Sequence, residues 1–183
     1  MLYTKKGDDG STILFDAKKR VPKTSAIIEV LGAVDELNSL LGVCKVKSDS
    51  PDNRHSLPTG ESLHEVIEDL QQDLFIAQAE LAGAAPKITG ERVKRLEVIV
   101  NNIEKELPPI KNFFVTGGTE LGALLDYARA VSRRVERAAV KLFDDGAIAR
   151  DLYSYLNRTS SFLYALARLC NQKSGIKEIH PHY

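Results

Sequence analysis

An all-α bundle of five helices is the fold class this sequence predicts, on three observations. From residue 25 onward apolar residues recur at spacings of three and four. Glycine and proline break that pattern at only a few places, and no period-2 alternation of consequence competes with it. With 183 residues and 43% hydrophobic content, the chain has the size of a single domain over 1–183, burying roughly 70% of its unfolded surface. Bundles of this kind place functional groups on facing helices.

The first helix is expected from about Ser25 to Val46, with Ile27, Leu31, Val34, Leu37 or Asn38, Leu41 and Cys44 on one stripe. Residues 47–60 follow as a polar loop. A second helix starts near Glu61, turns Leu63, Ile67, Leu70, Leu74, Ala77 and Leu81 inward, and ends before Pro86. Thr89 precedes a third, carrying Val93, Leu96, Val100 and Ile103 to a stop at Pro108-Pro109. The stretch Ile110 to Gly118 is an apolar connection closing in Gly-Gly, and Thr119 is a plausible N-cap for a fourth helix that reaches Phe143. Asp144-Asp145-Gly146 ends that helix. The fifth runs from about Ala147 to Lys173, turns Leu152, Leu156, Phe162 or Leu163, Leu166 and Leu169 inward, and is closed by Gly175.

Composition excludes several classes of function. The 25 basic and 25 acidic residues balance, so no global field recruits nucleic acid or an anionic membrane. No apolar run approaches the roughly 20 residues of a membrane helix, and the N-terminus lacks the apolar core of a signal peptide. Cys44 and Cys170 both fall in apolar-periodic stretches and are expected as buried thiols in a reducing cytoplasm. Glu61-x-x-His64 lacks the second such pair that a di-iron bundle requires, and His180-Pro-His182 lacks a third ligand, so no protein-held metal is expected.

Chemistry is carried by polar residues that interrupt helix faces. On the fourth helix Arg129, Arg133 and, a turn later, Glu136 or Arg137 share a face, where like charges repel unless an anion is held or water solvates them. The fifth helix has a polar stripe of Tyr153, Asn157, Ser160 or Ser161, Tyr164 and Arg168. On the first, Asp35-Glu36 and Asn38-Ser39 break an apolar run, and a buried carboxylate there needs an arginine, from this chain or another. The opening Tyr3-Thr4-Lys5-Lys6-Gly7-Asp8-Asp9-Gly10-Ser11-Thr12 is almost devoid of apolar residues. Gly7 and Gly10 allow a concave turn of peptide N–H groups around phosphate oxygens, with hydroxyls and lysines as further donors. It is not a P-loop, because the Gly-x-x-x-x-Gly-Lys order is absent.

Five motifs in this order are specific: T-x-x-G-D-x-G-x-T at the N-terminus, Val-Asp-Glu-Leu-Asn-Ser at 34–39, Gly-Gly-Thr at 117–119, Arg-x-x-x-Arg-Arg-x-Glu-Arg at 129–137, and Leu-Asn-Arg at 156–158 followed by Ala-Arg at 167–168. Together they resemble the PduO-type ATP:cob(I)alamin adenosyltransferases over nearly the whole chain. The resemblance implies a ferritin-like five-helix bundle assembled as a homotrimer. It implies transfer of the 5′-deoxyadenosyl group of ATP to the cobalt of cob(I)alamin, with Mg²⁺ held through the ATP phosphates. By that likeness residues 1–24 form the ATP-binding segment, in which Thr4, Lys5, Gly7, Asp8, Gly10, Ser11 and Thr12 cradle phosphate with help from Lys18 and Lys23. Arg133, Glu136, Arg137 and Asn157 would complete the nucleotide site, and Arg133 is the first choice for an essential residue. Asp35 and Arg129 would pair across subunits, and Phe113 would lie under the corrin ring. A corrinoid reductase and an adenosylcobalamin-dependent enzyme are the partners such an activity implies. An ATP-binding regulatory bundle without transferase activity is the alternative reading. Asp126 and Ser161 depart from the family pattern, which has histidine frequently at the first position and aspartate at the second.

Overall fold

The computed structural model describes residues 3, 5–15 and 19–182. Five helices dominate it: α1 (Ala26–Ser48), α2 (Leu63–Leu81), α3 (Gly90–Glu106), α4 (Glu120–Asp144) and α5 (Arg150–Lys173). Two short strands precede them, β1 (Ser11–Ile13) and β2 (Arg20–Pro22), paired antiparallel with Ser11 opposite Pro22, Thr12 opposite Val21 and Ile13 opposite Arg20. This ribbon lies within residues 1–24, the segment expected as a loop. Strands of three residues are too short for alternation to show in sequence.

The core follows the apolar stripes. Leu63, Ile67, Leu70, Leu74, Ala77 and Leu81 are all buried, as are Leu152, Leu156, Phe162, Leu163, Leu166 and Leu169. On α1 the stripe sits slightly differently: Val30 is buried, whereas Ile27 and Leu31 are half-buried against the core. Helix α4 packs against α1 and α5, α1 also holds α2, and α5 also holds α3. The order across the bundle is therefore α2, α1, α4, α5, α3.

Helix ends show where local chemistry overrode the period. Ser62 takes the N-cap of α2, accepting from the Glu65 amide while Glu65 accepts from the Ser62 amide, so the helix starts two residues later than expected. Helix α5 starts at Arg150 rather than near Ala147. The Ala147 amide is instead bonded to the Leu142 carbonyl at 2.8 Å, closing the end of α4 around Gly146 at φ +69°. The segment 47–60 is more structured than a polar loop: α1 runs through Ser48, Pro51–Asn53 form a 3₁₀ turn, and Leu57 is buried.

Away from the cavity described below, polar contacts tie α2 to α3 and α5. Asp73 is buried, pairs with Arg92, and accepts from the Tyr155 hydroxyl at 2.8 Å. Burial first, and then the Asp73 charge, push the Tyr155 phenol well above its ordinary value. Arg95 bridges Glu61 at 2.7 Å, so that glutamate serves an ion pair, and no metal-ligand cluster occurs among the described residues.

Cys44 and Cys170 are buried and free. Burial pushes each thiol from 9.0 up to about 12. Both should resist a thiol reagent in the folded protein at pH 8 and react together on denaturation. Because the folded values lie above the unfolded one, below pH 9 the thiols are protonated in both states and add no pH dependence. Between pH 9 and about 12 the unfolded chain ionises first, and stability falls. Urea midpoints at pH 8 and 10.5 should therefore diverge more in wild type than in a Cys44→Ala/Cys170→Ala variant, and equal divergence would refute the assignment.

Candidate functional site

The connection between α3 and α4 builds one wall of a cavity of about 440 Å³. Leu107 and the two prolines end α3, and Gly117 and Gly118, at φ +125° and +109°, turn the chain into α4. A side chain cannot follow that path at Gly118: its Cβ would stand 2.6 Å from Asn171 Oδ1. Asn171 itself comes from the end of α5. Its Oδ1 accepts from the Thr119 amide at 3.0 Å and the Thr119 hydroxyl at 3.1 Å, while its Nδ2 donates to the Gly117 carbonyl at 2.7 Å. Thr119 in turn caps α4, as the sequence predicts, accepting from the Gly122 amide at 2.9 Å.

The opposite wall comes from α4 and α5. Arg129 and Arg133 of the arginine face line it, together with Ser160, Ser161, Tyr164 and Arg168 of the polar stripe on α5. Tyr164 is flanked by two guanidinium groups, that of Arg129 at 5.8 Å and that of Arg168 at 6.0 Å from the ring centre. Each arginine has a carboxylate. Arg129 Nε donates to Asp126 at 3.0 Å, and Arg168 donates to Glu178 Oε2 at 2.9 Å. Burial is the main cause raising the Tyr164 phenol above its ordinary value, with Glu178 and Asp126 adding to it.

The segment after α5 returns over the same cavity. The Val115 amide donates to the Ile179 carbonyl at 2.8 Å, and the His180 ring stacks on Phe114 at 4.9 Å. Phe114 is thereby turned inward. Phe113 is 79% exposed at the cavity rim.

Expected site residues fall into two groups. Arg133, Phe113 and Arg129 meet at the cavity. One helical turn along, Arg137 and Asn157 are exposed, and Glu136 is half-buried with Oε1 accepting from the Tyr153 hydroxyl at 2.7 Å. Arg134, the neighbour that faces elsewhere, pairs with Glu36 of α1. Asp35 is exposed and has no partner among the described residues. Thr4 and Lys18 lie outside the described residues.

Lys5, Gly7, Asp8, Gly10, Ser11, Thr12 and Lys23 form the second group, in the ribbon and its turn. Lys5 and Gly10 adopt positive φ, at 57° and 76°. Several donors meant for a ligand are used locally: the Gly10 amide donates to Gly7 O at 3.2 Å, and the Ser11 amide to Asp9 Oδ1 at 2.9 Å. The Ser11 donors hold the Asp9 carboxyl below its ordinary value. Arg20 of β2 was not singled out by sequence, although it makes more polar contacts in this segment than either neighbouring lysine among the described residues, reaching Lys6, Asp9 and Ser11. Asn171 was missed as well. A buried amide three residues after Ala-Arg carries no periodic signal.

Comparison with known proteins places the chain and its fold. The family described as cobalamin adenosyltransferase matches residues 2–170. A corrinoid adenosyltransferase of Bacillus subtilis is 35% identical, covering 97% of this chain and 90% of that protein. The corrinoid adenosyltransferase PduO of Citrobacter freundii is also 35% identical over the whole chain, which spans 54% of that relative's length. Among solved structures, a phenylalanine-to-alanine variant of a PduO-type ATP:corrinoid adenosyltransferase from Lactobacillus reuteri, complexed with cobalamin and ATP, superposes with a TM-score of 0.89 at 28% identity, covering both chains completely. An arginine-to-lysine variant of that enzyme complexed with ATP gives 0.87 at 30% identity, covering 99% of this chain and all of that one. No helix among the described residues is long and apolar enough to cross a membrane.

Proposed function

We propose an activity and a division of labour from one premise: the chain belongs to the cobalamin adenosyltransferase family. The protein transfers the 5′-deoxyadenosyl group of ATP to the cobalt of cob(I)alamin, giving adenosylcobalamin and triphosphate. The observation that carries this reading is the meeting of Arg129 and Arg133 with the apolar rim at Phe113 around one cavity, on the fold of an enzyme solved with cobalamin and ATP.

The chemistry explains what the chain must supply. Cobalt(I) is already a strong nucleophile, so the protein needs no nucleophile of its own. It must hold C5′ in line with cobalt and stabilise the departing triphosphate. Arg133 and Arg137 can donate charge-assisted hydrogen bonds to that leaving group, and Mg²⁺ travels with the phosphates. Asn157 and Glu136 stand on α5 and α4, which pack against each other. The Tyr153 hydroxyl ties up one Glu136 oxygen, leaving the other to accept from the nucleotide. Phe113 presents an apolar face beneath the corrin, keeping water and the lower nitrogen ligand from cobalt.

The assembly is a homotrimer, with the N-terminal loop of one subunit completing the nucleotide site of its neighbour. Asp35 pairs with Arg129 across that boundary. Two facts support the pairing: Asp35 is exposed without a partner among the described residues, and Arg129 uses Nε for Asp126, leaving its two terminal nitrogens. The setting is the cytoplasm, and the electron donor is a corrinoid reductase.

The testing experiment is anaerobic. Mixing the protein with Mg-ATP and chemically reduced cobalamin should shift the corrinoid spectrum and yield adenosylcobalamin and triphosphate in equal amounts. ATP binding without alkylation of cobalt would leave a regulatory bundle as the reading.

A further inference from the structure

The ribbon at the N-terminus has a feature beyond the donors that line its loop: the returning strand captures the loop's acceptors. Arg20 Nη2 donates to Ser11 O at 2.8 Å and also to Lys6 O. Lys23 Nζ donates to Gly7 O at 2.8 Å, and the Lys23 amide donates to Gly10 O at 2.9 Å. A second nitrogen of Arg20, its Nε, donates to Ser11 Oγ at 2.6 Å, and that hydroxyl also donates to Asp9 Oδ1 at 2.8 Å. One guanidinium thus grips both ends of the 6–11 turn.

The electrostatic consequence is directional. Peptide oxygens carry the negative end of each backbone dipole, and an anion approaching the loop meets repulsion from any that point towards it. Binding those oxygens from β2 fixes their direction and keeps them from turning towards an approaching anion. Lysine at position 20 could not reproduce this, because a single ammonium lacks the separate Nε and terminal nitrogens of the fork.

We propose that Arg20 is a positioning residue for the triphosphate part of ATP, acting through the backbone of residues 6–11. This rests on the reading of that loop as the phosphate cradle. Arg20 makes the cradle anion-selective by holding Lys6 O and Ser11 O away from the ligand, and Lys23 assists at Gly7 O and Gly10 O.

The test is calorimetric titration of the full-length protein with Mg-ATP, inorganic triphosphate and cobalamin, for wild type, Arg20→Ala, Arg20→Lys and Lys5→Ala. Both Arg20 variants should bind Mg-ATP and inorganic triphosphate about tenfold more weakly and cobalamin within twofold of wild type. In turnover, KM for ATP should rise while kcat at saturating ATP holds. Equal weakening for cobalamin and triphosphate would mean general loosening of the fold and overturn the proposal. Full rescue by Arg20→Lys would overturn it too, because charge alone would then suffice. If Lys5→Ala loses triphosphate affinity while Arg20→Ala keeps it, the positioning role falls and the cradle stands. If neither variant loses affinity, the cradle reading itself falls.

Discussion

Arg133→Ala should lower turnover by about ten- to a hundredfold, the loss of one charge-assisted contact worth on the order of 1.5–3 kcal/mol. The residue is exposed on the cavity wall and makes no ion pair among the described residues, so its removal breaks no internal contact. Thermal stability should stay near wild type while activity falls. Neighbouring Arg134 supplies the control, since it pairs with Glu36 away from the cavity. Arg134→Ala should keep most of the activity. Steady-state kinetics on the two variants side by side checks the assignment, and comparable rates would remove Arg133 from the site.

Asn171→Ala should cost about 2–3 kcal/mol, because hydrogen bonds to the Thr119 amide, the Thr119 hydroxyl and the Gly117 carbonyl are lost together. For a chain of this length that corresponds to a fall in Tm of roughly 5–10 °C. Function should suffer beyond stability. Loop 110–118 forms a cavity wall, and without Asn171 its Gly117-Gly118 turn loses the partner that sets its path. Cobalamin affinity should drop while affinity for inorganic triphosphate is kept, as titration of each ligand would show.

Much of the bundle was legible because burial imposes a period. The stripe on α2 and that on α5 could be read residue by residue, and Thr119 could be placed from its position before an apolar run. The arginine face on α4 was visible as an anomaly, since like charges at one-turn spacing invite a reason. Tertiary partners were not visible. Nothing local shows that Tyr153 would reach Glu136, or that residues 176–180 would fold back over Phe114. Arg20 was hidden for a related reason. Its importance lies in backbone carbonyls, which every residue carries and no sequence distinguishes.

The order of packing across the bundle bears on how the chain emerges from a ribosome. Helix α1 finds α2 as soon as the connecting segment is made, yet its other contact is α4, which is synthesised only after α3 is complete. Helix α3 has its main partner in α5, the last helix of all. Until α4 and α5 appear, the face of α1 that meets α4 and the face of α3 that meets α5 have no cover. A nascent chain stalled after α3 is therefore a client for a holdase rather than a folding intermediate with a closed core.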